Sequence, residues 1–131
     1  MKGTLRPTSE GKERAMTPET ILDTLDVAIY SKDRQGRYTY ANRLVQEIFG
    51  ASLAEIIGRD DSEFFDLEVS NDLKVNDEAV MSSGQAVSRR ERDVVKETGE
   101  ERVYWTIKAP LRDGDGNVIG LCGISLDITD E

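Results

Sequence analysis

The chain contains no histidine, a single cysteine and no long apolar run. Without histidine there is no imidazole for a Ser-His-Asp or Cys-His nucleophile, for a zinc site or for the usual haem ligand. Cys122 alone excludes an internal disulfide and a Cys-x-x-Cys pair, which suits the reducing cytoplasm, and a buried strand position is its simplest role. No segment stays apolar over the roughly 20 residues that span a bilayer, and the N-terminus has no signal-peptide core. We therefore expect a cytoplasmic domain without membrane contact.

The charge balance is acidic, with 17 Lys plus Arg against 26 Asp plus Glu and a net charge of −9. This balance argues against a nucleic-acid partner, because such binding needs a clustered basic surface. The local cluster Arg89-Arg90-Glu91-Arg92 is interrupted by an acid and favours a solvated strand edge. A length of 131 residues fits one domain with its own core.

Residues 1–16 are polar and predict a disordered tail or linker, whereas residues 17–131 predict a single domain. Thr17-Pro18-Glu19 has the composition of a helix start, with a capping oxygen, a proline and an acid. The resulting helix, over about residues 18–25, carries Ile21, Leu22 and Leu25 on one face. A helix this short is unstable alone, so we expect its apolar stripe to pack on the domain or on a second chain.

The rest of the chain changes from strand to helix and back to strand. Two strand-like runs flank a turn at 33–36, and helical patterns follow at about 42–49, at the capping box Ser52-Leu53-Ala54-Glu55 and at about 67–82. Three runs, at about 86–96, 101–111 and 117–128, are separated by short turns and predict an antiparallel meander. This order predicts an α+β fold in which short helices cover one face of a five-stranded antiparallel sheet.

Several segments together resemble a PAS domain, the sensory module of bacterial signalling proteins such as two-component sensor histidine kinases and diguanylate cyclases. The segments are Lys32-Asp33-Arg34-Gln35-Gly36, Ile57-Gly58-Arg59-Asp60-Asp61, Lys108-Ala109-Pro110-Leu111-Arg112-Asp113 and Gly123-Ile124-Ser125-Leu126-Asp127-Ile128-Thr129. The resemblance covers about residues 17–130. It implies a sheet in spatial order 2-1-5-4-3 with a cavity under the middle helices. The other sheet face would meet the N-terminal helix or a second subunit.

The resemblance implies a non-enzymatic sensory function with no catalytic residues. In such proteins a closing Asp-Ile-Thr leads into an output domain, so Asp127 and Thr129 are the expected signal-output residues and the chain would be an excised sensor module. The domain would sense a small molecule or transmit a conformational signal. The alternative is a ligand-free module for dimerisation or protein docking.

No cofactor or metal is expected. PAS domains usually hold haem through histidine, which this chain lacks. Light-sensing relatives use a photoreactive cysteine among the middle helices, where residues 58–65 contain none, so covalent flavin chemistry is not expected. Non-covalent flavin and a small organic acid remain open as ligands.

Strand alternation separates two sets of residues along 103–109. Val103, Trp105, Ile107 and Ala109 alternate with Tyr104, Thr106 and Lys108, so the two sets lie on opposite sheet faces. The resemblance places the second set toward the cavity, and with it the candidate ligand-cavity residues Tyr30, Lys32, Arg92, Tyr104, Thr106, Lys108 and Ser125. The basic members could bind a small carboxylate. They could instead pair internally with Asp61, Glu63, Asp77 and Glu91, and internal pairing is favoured because buried charges are generally paired.

The other sheet face is apolar and needs a cover. Its members Trp105, Ile107, Cys122 and Ile124 present more surface than the helix residues Ile21, Leu22 and Leu25 can shield. Large exposed apolar patches mark interaction sites, so a homodimer is predicted through this face.

Overall fold

Residues 16–130 are described by the computed structural model. Their elements are α1 (Pro18–Thr24), β1 (Ala28–Asp33), β2 (Tyr38–Ala41), α2 (Arg43–Phe49), α3 (Leu53–Ile56), a 3₁₀ turn (Asp61–Glu63), α4 (Asn71–Ser83), β3 (Val87–Val94), β4 (Glu101–Arg112) and β5 (Val118–Asp127). All strand pairs are antiparallel, in the order β2-β1-β5-β4-β3. The predicted α+β class and strand order are confirmed. The predicted tail, residues 1–16, lies outside the described residues except for Met16.

The short helices begin and end where local side-chain chemistry dictates. Thr17 caps α1 by accepting a hydrogen bond from the Thr20 amide at 3.2 Å. The predicted capping box closes both ways, because the Ser52 side chain accepts from the Glu55 amide and the Glu55 carboxylate accepts from the Ser52 amide. Helix α2 ends at Gly50, whose φ of 64° is a left-handed conformation that glycine adopts at little cost.

Asn42 joins three elements around α2. Its Nδ2 donates to the carbonyl oxygens of Leu22 and Val27 at 2.9 Å each, while its Oδ1 accepts from the amides of Ile29 and Val45. The side chain is fully buried, so these bonds replace the water it lost. They fix α1 beside α2 and leave the apolar sheet face open.

Helix α4 begins at Asn71, four residues later than the sequence pattern indicates. The preceding Ser70 is fully buried, and its hydroxyl accepts a hydrogen bond from the Val94 amide at 2.8 Å instead of capping the helix. Residues 67–69 therefore form a turn that ties the helix start to β3. Helix α4 then packs along β3, which fixes the wall of the cavity.

The core lies between the sheet and the helices. Its inner face buries Tyr30, Tyr38 and Leu121 against Ile56 and Val80. An aromatic group closes one end, with the rings of Phe49 and Phe64 stacked at 4.1 Å between centroids. None of the helices in the described part of the chain has the length and apolar composition required to cross a bilayer.

Candidate functional site

Two lysines point from the inner sheet face into the core. Lys32 lies on β1 and Lys108 on β4, and they are only 2% and 1% exposed. Strand alternation puts them there, since Tyr30 and Lys32 share one face, as do Tyr104, Thr106 and Lys108. Ammonium groups this deeply buried need anionic partners.

Carboxylates from three different elements supply those partners. Lys32 Nζ lies 2.5 Å from an oxygen of Asp61 in the 3₁₀ turn and 2.6 Å from one of Asp77 on α4. Lys108 Nζ lies 2.7 Å from the other Asp77 oxygen and 2.7 Å from Glu91 on β3. Asp77 therefore bridges the two lysines. We call these five residues the ion-pair cluster.

Polar neighbours complete the hydrogen bonding of the ion-pair cluster. Tyr38 donates its hydroxyl hydrogen to Asp61 in a short bond. Asn76 Nδ2 donates to Glu91 at 2.9 Å, and Arg89 donates to the Asn76 carbonyl at 3.3 Å. These hydrogen bonds to the carboxylate oxygens offset part of the cost of burying the charged groups in the core.

The environment shifts the pKa values in a consistent way. Burial alone would lower the pKa of Lys32 and of Lys108, but the neighbouring negative charges outweigh it and raise the pKa of both ammonium groups. Burial would raise the pKa of Asp77, yet the charges of Lys32 and Lys108 hold that pKa below its ordinary value. The lysines and Asp77 are therefore charged at neutral pH.

Asp93 behaves in the opposite way. Burial, the neighbouring negative charge of Glu91 and a side-chain hydrogen bond with Glu91 raise the pKa of its carboxyl group to about 9. The residue is 3% exposed, and its Oδ1 has no hydrogen-bond partner among the described residues. Asp93 is thus a buried acid that forms no ion pair with Lys32 or Lys108.

A small cavity lies against the ion-pair cluster. Its volume is about 30 Å³, and its lining includes Tyr30, Glu91, Asp93, Tyr104 and Ser125 together with aromatic and aliphatic side chains. Pockets that take up drug-sized ligands have volumes of about 300–1,000 Å³. In this conformation the cavity fits a species the size of one or two waters.

The structure brings six of the seven predicted cavity residues to the inner face. Tyr30, Lys32, Tyr104, Thr106, Lys108 and Ser125 are all buried there, and the hydroxyl groups of Tyr30 and Ser125 lie 2.9 Å apart. The assignment of Arg92 to the cavity is wrong, because it pairs across the sheet with Val103 on the outer face and its side chain is 48% exposed beside Glu101. The inward residues of β3 are its neighbours Glu91 and Asp93.

Three of the four predicted ion-pair partners, Asp61, Asp77 and Glu91, contact the lysines. Glu63 does not, and this assignment is wrong. Its carboxylate is exposed and pairs with Arg59 at 2.8 Å. The 3₁₀ turn has three residues per turn, so residues two apart point in different directions.

Sequence reasoning missed Asp93 and Asn76. Asp93 is separated from Glu91 by one residue, so placing Glu91 inward would have placed Asp93 inward too. Asn76 lies on the same face of α4 as the apolar Leu73 and Val80, which made it a candidate for burial.

The outer sheet face carries the predicted apolar residues. Trp105, Ile107 and Ile124 are 42%, 43% and 40% exposed, and Cys122 beside them is half-buried. On α1, Ile21 and Leu25 are exposed and Leu22 is half-buried. The helix packs beside α2, so it does not cover these strand residues.

The end of β5 is clamped to the start of β4. Asp127 accepts from Arg102 at 2.7 Å and from the amide and hydroxyl of Thr129 at 2.9 and 2.5 Å. The Thr129 hydroxyl oxygen also accepts from the Val103 amide at 3.0 Å. Burial would raise the pKa of Asp127, but the bonds from Thr129 and Arg102 hold that pKa below its ordinary value.

A five-stranded sheet in this order, with a core cavity under short helices, defines a PAS-type sensory domain. The family model described as PAS fold matches residues 22–131. The chain belongs to the PAS family. This fold is a sensory and regulatory module rather than a catalytic one.

Comparisons with known proteins agree with that assignment. A diguanylate cyclase of Vibrio cholerae is 36% identical over 113 residues, which are 86% of this chain and 35% of that protein. The methanogenesis regulatory histidine kinase FilI of Methanothrix harundinacea is 34% identical over 111 residues, 85% of this chain and 12% of that protein. The PAS domain of a Colwellia psychrerythraea protein has a TM-score of 0.72 at 20% identity, covering 92% of this chain and 98% of that one. The chain thus spans about a third or less of the length of these two curated relatives.

Proposed function

We propose that this PAS domain is a non-enzymatic regulatory module that works as a homodimer through its outer sheet face. In its full-length protein it passes changes in the sheet to an output domain of the kind its relatives carry. The observation that carries the proposal is the exposed apolar strip on β4 and β5, opposite the cavity.

The strip is continuous across the two strands. Ile107 pairs with Ile124 and Trp105 with Leu126, so four large apolar side chains lie next to one another. Each is at least 40% exposed. A contiguous exposed apolar surface of this kind is typical of an interface rather than of a surface that faces water.

The charges at the two edges of the outer face support a second copy as the partner. Arg90 on β3 pairs across the sheet with Trp105 and makes one edge basic, while the charge of the nearby Arg92 is balanced by Glu101. The other edge carries Asp23 and Glu19 of α1, and burial together with these nearby charges raises the pKa of Tyr40 there. A two-fold axis parallel to the strands sets the basic edge of one copy against the acidic edge of the other.

The cavity favours transmission over capture of a small organic acid. The ammonium groups that would bind a carboxylate each contact two internal carboxylates already. A ligand carboxylate would have to displace those partners and leave buried anions unpaired, which is costly. The alternative function, a docking module without a ligand, shares this closed ion-pair cluster and the same outer face.

The clamp formed by Arg102, Asp127 and Thr129 is our proposed output element. It couples the last residues of β5 to β4, whose outer face forms the proposed interface. A shift of β4 at the interface would therefore reach the chain that follows Asp127.

The dimer is tested by placing a charge on each of two equally exposed apolar sites. Ile107→Glu lies on the outer face, whereas Val75→Glu lies on α4, where Val75 is 46% exposed. Sedimentation velocity over a concentration series should show a wild-type dimer whose dissociation constant rises about tenfold or more in Ile107→Glu, because the carboxylate would be desolvated in the interface. Val75→Glu should match the wild type. A monomeric wild type, or equal effects of the two variants, would contradict the proposal.

A further inference from the structure

The carboxyl group of Asp93 has an oxygen that no described residue satisfies. The side chain points from β3 into the cavity of about 30 Å³ and is 3% exposed. The carboxyl group hydrogen-bonds the Glu91 side chain, yet its Oδ1 has no hydrogen-bond partner among residues 16–130. Buried polar atoms are nearly always paired with protein, water or a ligand. This atom therefore marks a place where a hydrogen-bond donor belongs.

The charge around Asp93 favours a cation as that donor. Lys32 and Lys108 are the ammonium groups of this core, and they face four carboxyl groups, those of Asp61, Asp77, Glu91 and Asp93. With Asp93 protonated these groups carry a net charge of −1, and ionisation of Asp93 would make it −2. Both ammonium groups are engaged by the other three carboxylates, and Arg102 opposite Asp93 bonds Glu100 and Asp127, so Asp93 forms no ion pair with these cations.

The surroundings set a size limit and provide an approach. Tyr104, Ser125 and Ile48 form walls shared between the cavity and an open groove of about 340 Å³ at the end of the sheet. The charged residues of that groove are Asp26, Glu100 and Asp127 against a single Arg102, so it attracts cations. The hydroxyl groups of Tyr104 and Ser125 can accept further hydrogen bonds from a species in the cavity.

We propose that the Asp93 cavity binds a small protonated amine, ammonium or methylammonium, whose N–H donates to Asp93 Oδ1. The amine keeps its protons and Asp93 releases its own to solvent, so one cation enters as one proton leaves. Ion pairing with a buried carboxylate makes the bound cation tolerable. This site adds a ligand to the proposed regulatory function and does not depend on the dimer.

Proton release follows from the groups that face Asp93. They are Glu91 on the same strand, Arg102, Tyr104 and Lys108 on β4, and Asp61 in the 3₁₀ turn. Burial and the Glu91 charge hold the Asp93 carboxyl in its neutral form near pH 7, since they raise its pKa to about 9. A cation must therefore displace a proton, and binding should strengthen as the pH rises toward that value.

Thermal unfolding at constant ionic strength tests the site. Ammonium chloride and methylammonium chloride should raise Tm by about 3 °C at concentrations near tenfold above Kd. Tetramethylammonium chloride, which has no N–H donor, and potassium acetate, which supplies a carboxylate, should behave like potassium chloride. Isothermal titration of ammonium in two buffers with different ionisation heats should report close to one proton released.

Two variants locate the effect. Asp93→Asn, with near-identical shape, should lose the ammonium response, whereas Asp115→Asn in the exposed β4–β5 turn should keep it. The inference fails if ammonium acts no better than tetramethylammonium, if acetate acts better than ammonium, or if Asp93→Asn responds like the wild type. Titration of the wild type does not depend on how the variants fold. Sedimentation of the same samples separates the two proposals, since a dimer without an ammonium response refutes only this inference.

Discussion

Lys32 and Lys108 determine the character of the core at the scale of single residues. Each ammonium group is almost fully buried and contacts two carboxylates, so the cost of desolvation is met by several short, charge-assisted bonds. Such a cluster adds little net stability compared with an apolar core, but the loss of one member leaves its partners unpaired. The core is therefore sensitive to changes at these positions.

Replacing Lys108 with methionine tests that sensitivity. Lys108→Met leaves Glu91 and one oxygen of Asp77 without their cation and should lower the free energy of unfolding by about 3–5 kcal/mol in urea denaturation. Arg59→Met removes the exposed pair with Glu63 and should cost less than about 1 kcal/mol. Equal losses in the two variants would show that the buried pairs have no special role.

Asp93 gives the protein an unusual pH dependence. Its folded-state pKa of about 9 lies above the ordinary 3.8, so the folded protein holds a proton that the unfolded chain has released. Stability from this group is complete below the ordinary value and is lost as the pH rises toward the folded value. The chain has no histidine to obscure this window.

We expect the free energy of unfolding to fall between about pH 5 and about pH 8, by up to roughly 1.4 kcal/mol per pH unit. Asp93→Asn cannot ionise, so its stability should be flatter over the same range. Urea denaturation at fixed protein concentration measures both. A wild-type stability that is constant or rises with pH would contradict the assignment of a neutral Asp93.

Strands β3 and β4 differ in how well the sequence predicts which side chains point into the core. Along β4 the apolar and polar residues alternate, so the inward position of Lys108 could be predicted. Both faces of β3 are polar, so alternation alone does not tell which of its residues point inward. The prediction that Arg92 does is wrong, because Glu91 and Asp93 hold the inward positions. The inward position of Glu91 depends on its contacts with Lys108 and Asn76, which are distant in the sequence.

At the scale of elements, the connection between β4 and the end of β5 is the feature with a functional consequence. The Ile128 amide donates to the Val103 carbonyl at 2.8 Å, and the Thr129 hydroxyl links Asp127 to the Val103 amide. These bonds extend the sheet ladder beyond the last residue of β5. They hold residues 128 and 129 in place beyond the end of β5.

Removing the Thr129 hydroxyl should release this connection. Thr129→Val loses the bonds to Asp127 and Val103 and should speed amide hydrogen exchange at Val103 and Ile128 by about tenfold, since one or two hydrogen bonds of modest net energy are lost. Thr98→Val in the β3–β4 turn removes a comparable bond to the Glu100 amide and should leave both exchange rates unchanged. Unchanged exchange in Thr129→Val would exclude the clamp as an output element.

Element boundaries show what local patterns can establish. Three helix ends can be predicted from the sequence because each depends on neighbours within one turn: the cap at Thr17, the capping box at Ser52 and the glycine at Gly50. The start of α4 cannot be predicted in this way, because Ser70 accepts its hydrogen bond from the Val94 amide, 24 residues away. Asn42 combines both kinds of contact, since its Oδ1 caps α2 through the Val45 amide while the same side chain also bonds α1 and β1.

The whole molecule presents two contrasting faces. Its inner side encloses the ion-pair cluster, in which carboxylates balance the charges of the two lysines, and a cavity of about 30 Å³. Its outer side exposes an apolar strip flanked by a basic edge and an acidic edge. The net charge of −9 reveals neither face. Our central claim is that the outer strip is where two copies meet and where regulation begins.

Trp105 provides the most direct test of that claim, because it is the only tryptophan and lies 42% exposed in the middle of the strip. Its fluorescence can be measured by emission wavelength and acrylamide quenching across a dilution series. The account predicts blue-shifted emission and weak quenching at high concentration, changing to red-shifted emission and strong quenching on dilution, with Ile107→Glu resembling the dilute state throughout. Emission and quenching that stay those of an exposed indole at every concentration, in wild type and variant alike, would contradict it.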